Sequence, residues 1–335
     1  MIDFVEQWFM ENWRAEFGAA RPRRISIVKT ASSGIGLRHK ERESKIFFLV
    51  FAQGSSRPFA VAKIPRFREA AAGLHREHRM LSALAGDARL GSAFLSSVPM
   101  PLYFGPIGPE TAAVQSALNG CIFRSESKPG ARVDKKLANL TGLAQSWLDA
   151  LRPFAACGPT VLSDEQIISW FIQPLDVMSR AASQADCDAG SLFHDIMHEA
   201  DALAGVSLGL VRQHGDFTAS NVSFARGECR VLDFEHYGIE QNPLFDILWF
   251  ARSLWYGPYG PAWSSAPAAA QTLRHAAQQA LGDKAMVAAR ALYTQALLKS
   301  FSRKYMYHGA DSEAARALAP GYLAELEALR GSFAA

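Results

Sequence analysis

Residues 213–234 read QHGDFTASNVSFARGECRVLDF, and the polar groups in this stretch predict the fold of the chain. Asp216 is followed by Asn221 and then by Asp233, and the apolar runs between them are typical of short strands. Phosphoryl transfer needs a carboxylate near the attacking hydroxyl and oxygen ligands for magnesium. We therefore expect Asp216 to act as the general base, and Asn221 and Asp233 to bind Mg²⁺.

The same stretch predicts a β-hairpin. Residues 222–224 continue as a strand, residues 225–228 read as a turn, and residues 229–234 form the returning strand. This hairpin would bring Asp233 back beside Asn221. The alternative is a capping aspartate and a turn asparagine in an ordinary loop, but the combined spacing favours the metal site.

A lysine lies inside a second apolar run, residues 60–64, AVAKI. Burying its charge is unfavourable unless an anion meets it, and nucleotide phosphates would do so. Glu77, in a helix predicted to begin near Arg68, could hold Lys63 by an ion pair. The alternatives are a lysine that reaches solvent from an edge strand and a glutamate on a solvated helix face.

Residues 32–36, SSGIG, form a weaker signal after the first predicted strand. Ser33, Gly34 and Gly36 could let backbone N–H groups approach a phosphate. A plain hairpin turn explains the same residues equally well.

The secondary-structure pattern changes along the chain, from strands to helices. We predict a helix over residues 2–17, an antiparallel meander over 25–30, 45–52 and 59–64, a helix over 68–85, and short strands over 101–104 and 111–118. Helices are then predicted over residues 133–151, 163–178, 191–213, 243–255, 266–281, 283–308 and 311–330. These elements predict an α+β fold with two lobes, residues 1–118 and residues 119–335, with a nucleotide in the cleft between them.

Composition excludes several classes of protein. The chain has 335 residues and a net charge of +3, too small to argue for nucleic-acid binding. No run reaches the roughly 18 apolar residues of a membrane span, and the N-terminal residues do not form a signal peptide. The four cysteines lack metal-site spacing and are expected to be free, mostly packed thiols. A cytoplasmic protein is the default expectation, and the sequence does not indicate an oligomeric state.

The chain resembles the aminoglycoside phosphotransferase and choline kinase family, a branch of the protein-kinase-like fold. The resemblance is most specific in HGDFTASN, residues 214–221, and VLDFE, residues 231–235, and is moderate in AVAKI. It implies a small antiparallel-sheet N-lobe and a mainly helical C-lobe. It also implies that Asp216 is the catalytic base, that Asn221 and Asp233 bind Mg²⁺, and that Lys63, steadied by Glu77, contacts the phosphates.

The resemblance further implies a hinge at residues 115–118, where the backbone of Gln115 and Ala117 would meet the nucleotide base. His214 would be a scaffold for the catalytic loop, and Asp246 would brace that loop. ATP or GTP would be the co-substrate.

Three departures from protein kinases favour a small-molecule hydroxyl as the acceptor. Gly215 replaces an arginine, Glu235 replaces a glycine, and only nine residues separate Asp233 from Pro243, too few for a long activation segment. The acceptor could be a metabolite, a sugar, an amino alcohol or an aminoglycoside-like antibiotic. The aromatic residues 249–263 could line its pocket or belong to the core. A non-catalytic nucleotide-binding module and a protein serine/threonine kinase remain as alternatives.

Overall fold

The protein consists of two compact units, seen in a computed structural model that describes residues 1–17, 21–31, 44–122, 128–282, 285–309 and 312–333. The first unit contains residues 1–123 and 220–237, and the second contains residues 124–219 and 238–335. The assignment of separate functions to residues 1–118 and 119–335 stays a prediction.

The strands have the following bounds: β1 (Ile25–Ala31), β2 (Lys45–Ala52), β3 (Pro58–Pro65), β4 (Pro101–Ile107), β5 (Glu110–Ser116), β6 (Cys121–Ile122), β7 (Ala156–Val161), β8 (Ser207–Val211), β9 (Val222–Ala225) and β10 (Glu228–Val231). The α-helices are α1 (Ile2–Glu11), α2 (Arg68–Ala85), α3 (Ser92–Leu95), α4 (Ala131–Ala155), α5 (Asp164–Ile167), α6 (Gln173–Gln184), α7 (Gly190–Leu203), α8 (Phe245–Tyr259), α9 (Pro267–Leu281), α10 (Ala285–His308) and α11 (Glu313–Ser332). Short 3₁₀-helices occupy Ala15–Phe17, Phe234–His236 and Gly260–Ser265, and a π-helix occupies Ile168–Ile172.

The first unit is built on an antiparallel sheet with the strand order β1-β2-β3-β5-β4, so the predicted meander of the first three strands is confirmed. Side chains alternate between the two faces of a strand. One face of β2 and β3 buries Phe48, Ala62 and Ile64 against Val5 and Phe9 of α1. Lys45 and Lys63 therefore point to the opposite face, the face against which α2 packs.

The predicted hairpin is present as β9 and β10, which pair in antiparallel register and form a three-stranded sheet with β6. Arg226 and Gly227 occupy its tight turn, with φ of 52° and 79°. Hairpin turns with positive φ at both central residues match the twist of the strands that they join.

The second unit is mainly helical, as predicted. Its core includes many large aromatic side chains, and among those with less than 2% exposure are Phe171, Phe217, Phe245, Phe250, Trp255, Trp263, Tyr293 and Phe301. A capping box begins α5, because the side chains of Ser163 and Gln166 each accept a hydrogen bond from the other's backbone N–H. None of the helices in the described ranges is both long and apolar enough to cross a membrane.

Several predicted elements were wrong in extent. The helix expected over residues 2–17 ends at Glu11, and the helix expected over 191–213 ends at Leu203. Residues 207–211 instead form β8, which pairs with the unpredicted β7. Helix α8 begins at Phe245, so Pro243 precedes the helix and is not in its first turn.

Other boundaries moved by smaller amounts. The helix predicted over 163–178 is extended through the π-helix to Gln184, and the strand predicted over 111–118 ends at Ser116. The first two residues of the predicted helix 283–308 and residue 311 lie outside the described residues.

The prediction that the thiols are mostly packed was only partly right. Cys229 is buried and Cys187 is half-buried, but Cys157 is exposed. Burial raises the pKa of the Cys229 thiol to about 12.

Candidate active site

Lys63 and Glu77 form a buried ion pair in the first unit. The Nζ atom of Lys63 lies 2.7 Å from Oε1 and 2.8 Å from Oε2 of Glu77. Glu77 lies on the buried face of α2, in line with Leu74 and Leu81, and is only 1% exposed. The alternative of a glutamate on a solvated helix face is therefore wrong, and the predicted ion pair is present.

Asp233 also faces this lysine. Its Oδ1 atom lies 3.4 Å from Nζ of Lys63, and its side chain is 24% exposed. Burial alone would lower the pKa of Lys63, but the carboxylates of Glu77 and Asp233 outweigh that effect and raise the pKa above the ordinary lysine value. Lys63 is therefore charged at every physiological pH.

Asp233 has an unusual backbone conformation, with φ of 67° and ψ of 68°. Residues other than glycine rarely adopt left-handed backbone angles, and such strain concentrates at functional sites. Asp233 directly follows Leu232 in the sequence. The N–H of Leu232 donates to the carbonyl of Asn221 across the hairpin at 2.8 Å. The structure therefore brings the backbones of the two predicted metal-binding residues together, as the sequence predicted.

Sequence reasoning missed a second lysine. Lys45 is 3% exposed, contacts Glu235 through a short ion pair, and lies 3.6 Å from Oδ1 of Asp233. Its position at the start of an apolar strand, on the same face as Lys63, is a signal that could have revealed it. Arg76 donates to the carbonyl of Glu235 at 3.2 Å, so α2 also fixes the backbone after Asp233.

Oxygen ligands suitable for Mg²⁺ are available at Asn221 and Asp233. Mg²⁺ usually binds one or two protein groups and takes its other ligands from water and phosphates. Among the described residues no cluster of three or more His, Cys, Asp and Glu side chains is arranged to hold a metal. The partial exposure of Asp233 leaves its carboxylate accessible.

Only some of the other predicted nucleotide-binding residues of this unit lie within the described residues. Ser33, Gly34 and Gly36 lie outside the described residues. Gln115 is buried on β5 opposite Val61. The N–H of Ala117 donates to the carbonyl of Phe59 at 3.0 Å, so this N–H is already used within the fold.

In the second unit, Asp246 holds the loop that carries Asp216. Its carboxylate accepts hydrogen bonds from the backbone N–H groups of His214, at 2.5 Å, and Gly215, at 3.0 Å. Its own N–H donates to Oε1 of Gln213 at 3.1 Å. Burial raises the pKa of Asp246 to about 7, although these two N–H groups favour the ionised form.

The loop itself is compact, and Asp216 within it is half-buried. The N–H of Asp216 donates to Nδ1 of His214 at 3.3 Å, so Nδ1 is an acceptor in this buried ring. Arg303 donates to the carbonyl of Gly215 at 3.3 Å. Gly215 has a φ of 83°, a conformation that disfavours the arginine found here in protein kinases.

The aromatic residues after the predicted metal ligand belong mainly to the core. Trp255 and Trp263 are fully buried. Trp249 and Tyr256 instead pack against the guanidinium of Arg252, with ring centroids at 5.1 Å and 5.0 Å. These contacts explain the aromatic cluster through packing within this unit.

Comparison with known proteins relates the chain to one family. The sequence model of the Phosphotransferase enzyme family matches residues 42–282. No curated protein matches the sequence.

Three solved structures show the shared fold. ADP-bound aminoglycoside phosphotransferase APH(2'')-Ib is 14% identical, with 99% of this chain and 98% of that chain covered and a TM-score of 0.55. A thermostable mutant of APH(4)-Ia, in complex with ADP and hygromycin B, is 15% identical, with 99% of each chain covered and a TM-score of 0.55. Ethanolamine kinase from Plasmodium vivax is 11% identical, with 92% and 83% covered and a TM-score of 0.55. These likenesses confirm the predicted kinase-like fold.

Proposed function

Because the chain belongs to the phosphotransferase enzyme family, we propose that it is a small-molecule kinase. It would transfer the γ-phosphate of a nucleoside triphosphate, ATP or GTP, to a hydroxyl group of a small molecule. The observation that carries this proposal is the contact of one buried lysine, Lys63, with both Glu77 and Asp233. That contact joins the ammonium group of a lysine in β3 to carboxylates from two other segments, α2 and the residues after β10.

Lys63 and Lys45 would supply positive charge for the nucleotide phosphates. Both ammonium groups are desolvated, so their attraction for an anion is stronger than it would be in bulk water. Glu77 keeps Lys63 in place while no phosphate is bound, and Glu235 does the same for Lys45.

Asn221 and Asp233 would hold Mg²⁺ through their side-chain oxygens. The bound ion supplies charge neutralisation for the β- and γ-phosphates. Asp233 suits this position because its carboxylate is partly exposed, and because the ammonium groups of Lys45 and Lys63 lie within 4 Å of it.

Asp216 would orient the acceptor hydroxyl and take up its proton. The two backbone bonds to Asp246 and the bond from Arg303 to Gly215 fix the loop, so the carboxylate needs little rearrangement. General-base assistance of this kind contributes roughly 10²–10⁴-fold to the rate.

The acceptor proposed is a sugar, an amino alcohol or an aminoglycoside-like compound. Support comes from the nine residues between Asp233 and Pro243, which are too few for a segment that binds a protein substrate. One protein with this fold is bound to hygromycin B and another is an ethanolamine kinase, so both compounds belong in the first panel of acceptors.

The test is phosphate transfer from Mg-ATP and Mg-GTP to a panel of such alcohols, followed by mass spectrometry of the products. We expect Asp216→Asn to lower turnover by roughly 10²–10⁴-fold while nucleotide binding persists. Asp201→Asn, which removes an exposed carboxylate from α7 of the same unit, is the matched control and should leave turnover unchanged.

Two outcomes would contradict the assignment as a small-molecule kinase, and a third would contradict the role of Asp216. Nucleotide binding without transfer to any acceptor would favour the non-catalytic module. Transfer to peptide serine or threonine, with no transfer to small alcohols, would favour a protein kinase. Loss of nucleotide binding in a folded Asp216→Asn variant would remove the role assigned to that residue.

A further inference from the structure

Three arginines surround a cavity of about 650 Å³ in the first unit. Arg57 comes from the turn between β2 and β3, Arg226 from the turn of the β9–β10 hairpin, and Arg230 from β10. Asn119 and Gly120 complete this wall of the cavity, here called the arginine cavity. Its volume is within the range of small-molecule sites, which is roughly 300–1,000 Å³.

The backbones that carry two of these arginines are fixed in tight turns. The N–H of Arg57 donates to Oγ of Ser55 at 3.1 Å, and that hydroxyl donates to the carbonyl of Arg57 at 2.8 Å. Arg226 has a φ of 52° in a two-residue hairpin turn. The positions from which the two guanidinium groups extend are therefore defined before any ligand arrives.

Arg230 is only partly satisfied. One terminal nitrogen donates to the carbonyl of Asn119 at 2.7 Å, and the other lies 3.6 Å from Glu228. Its buried Nε has no hydrogen-bond partner within the ranges that the structure describes. An unpaired buried donor is unfavourable, and an anion that accepts from it would remove the penalty.

The charge of the arginine cavity favours a multivalent anion. Among the residues that the structure describes, three guanidinium groups line the cavity and one of them, that of Arg230, lies near a carboxylate, that of Glu228, which leaves an excess of positive charge in this set. Guanidinium groups bind phosphate oxygens through paired hydrogen bonds and stay charged at all relevant pH values.

This cavity is separate from the predicted metal ligands, although Asn119 and Gly120 in its wall directly follow the predicted hinge at residues 115–118. Asn221 and Asp233 lie at the open end of the hairpin, and Arg226 lies at its turn, five residues from Asn221. At about 3.3 Å for each strand residue, the two ends are roughly 15 Å apart.

We propose that the arginine cavity binds a phosphorylated small molecule with at least two negative charges, at a site distinct from the predicted Mg²⁺ ligands. The ligand would accept hydrogen bonds from Arg57, Arg226 and Nε of Arg230. Because the hairpin carries Asn221 and Asp233 at its other end, such a ligand would act on the same element that holds the predicted metal ligands.

The test is isothermal titration calorimetry with sodium tripolyphosphate, with EDTA present and at about 0.15 M salt. The first variant, here called the cavity variant, combines Arg57→Gln with Arg226→Asn. Asparagine is chosen at position 226 because it tolerates the left-handed turn conformation. The control combines Arg23→Gln with Arg79→Gln, which removes two charges from exposed positions of the same unit. Melting temperatures without ligand check that each protein is folded.

We expect the cavity variant to bind at least about tenfold more weakly than the wild type, and the control to stay within about twofold. An equal loss in both variants would show diffuse attraction and overturn the proposal. It would also be overturned if the wild type failed to bind, or if Lys63→Met abolished binding while the cavity variant retained it. None of these results depends on whether the chain transfers phosphate.

Discussion

At the scale of single residues, the first unit depends on charges that are buried only because they are paired. Lys63 and Glu77 are 3% and 1% exposed, and neither could stay ionised there alone. The order lysine, glutamate, aspartate was visible in the sequence. Lys45 was not recognised because its partner Glu235 lies 190 residues away, and only its place on the same strand face as Lys63 could have indicated it.

Glu77→Gln should destabilise the protein by roughly 3 kcal/mol, because it leaves the charge of Lys63 buried with only the more distant Asp233. Chemical denaturation with urea would measure the change. Glu69→Gln, at an exposed position of the same helix, should change the free energy of unfolding by less than about 0.5 kcal/mol. Equal effects of the two substitutions would show that the ion pair contributes nothing specific.

Asp246 predicts a pH dependence of stability. Its pKa in the folded protein, about 7, is above the ordinary value of 3.8, so between these values the folded state binds the proton more tightly. The stabilisation from this group is complete below about pH 4 and is lost as the pH rises to 7.

We therefore expect the unfolding free energy of the wild type minus that of Asp246→Asn to fall by about 4 kcal/mol from pH 4 to pH 7, and then to level off. Urea denaturation at a series of pH values would measure it. A difference that rises with pH would show that the bonds from His214 and Gly215 outweigh burial.

At the scale of elements, Gly73 lets α2 approach the segment after Asp233. A Cβ atom at this position would lie 2.6 Å from Oε2 of Glu235, a carboxylate that is already held by Lys45. The requirement for a small residue here comes from a segment far away in sequence, so helical periodicity alone could not reveal it.

Gly73→Ala should therefore lower the free energy of unfolding by about 1 kcal/mol or more, although alanine is the better helix former. Gly142→Ala is the matched control, because a Cβ there meets nothing within 4 Å in α4, and it should stabilise by about 0.5–1 kcal/mol. Thermal unfolding would compare them. If both substitutions stabilised the protein, the contact with Glu235 would not constrain the helix.

The sequence predicted the elements with strong periodicity and failed where partners are distant. β2 and α2 were predicted with their observed bounds, because apolar residues recur at the strand or helix period. β8 was wrongly predicted as the end of a helix, although Leu208 and Leu210 alternate with less buried residues as in a strand. Its partner β7 contains Gly158 and Pro159, residues that are typical of a loop. Only the pairing between the two segments shows that both are β-strands.

At the scale of the whole molecule, the family match ends at residue 282, but the chain beyond it is part of the second unit. Glu325 of α11 is 1% exposed. It accepts hydrogen bonds from Arg252, at 2.6 and 2.9 Å, and from Nε1 of Trp263, at 2.6 Å. The C-terminal helix is thus tied to α8 by a buried charge.

Glu325→Ala should destabilise the protein by roughly 3–5 kcal/mol, because the charge of Arg252 would stay buried without its carboxylate. Glu327→Ala, at an exposed position of the same helix, should have an effect below about 0.5 kcal/mol. Urea denaturation of both variants would decide, and a mild effect of Glu325→Ala would show that the aromatic rings around Arg252 suffice.

The edge strand β4 of the five-stranded sheet affects how copies of the protein can pair with one another in concentrated solution. β4 lies at the sheet edge and contains Pro101 and Pro106, which have no N–H to offer, and its pairing with β5 is irregular between Pro101 and Tyr103. An incoming chain could not form a continuous ladder along this edge. This edge therefore disfavours polymerisation of the protein through strand pairing at β4.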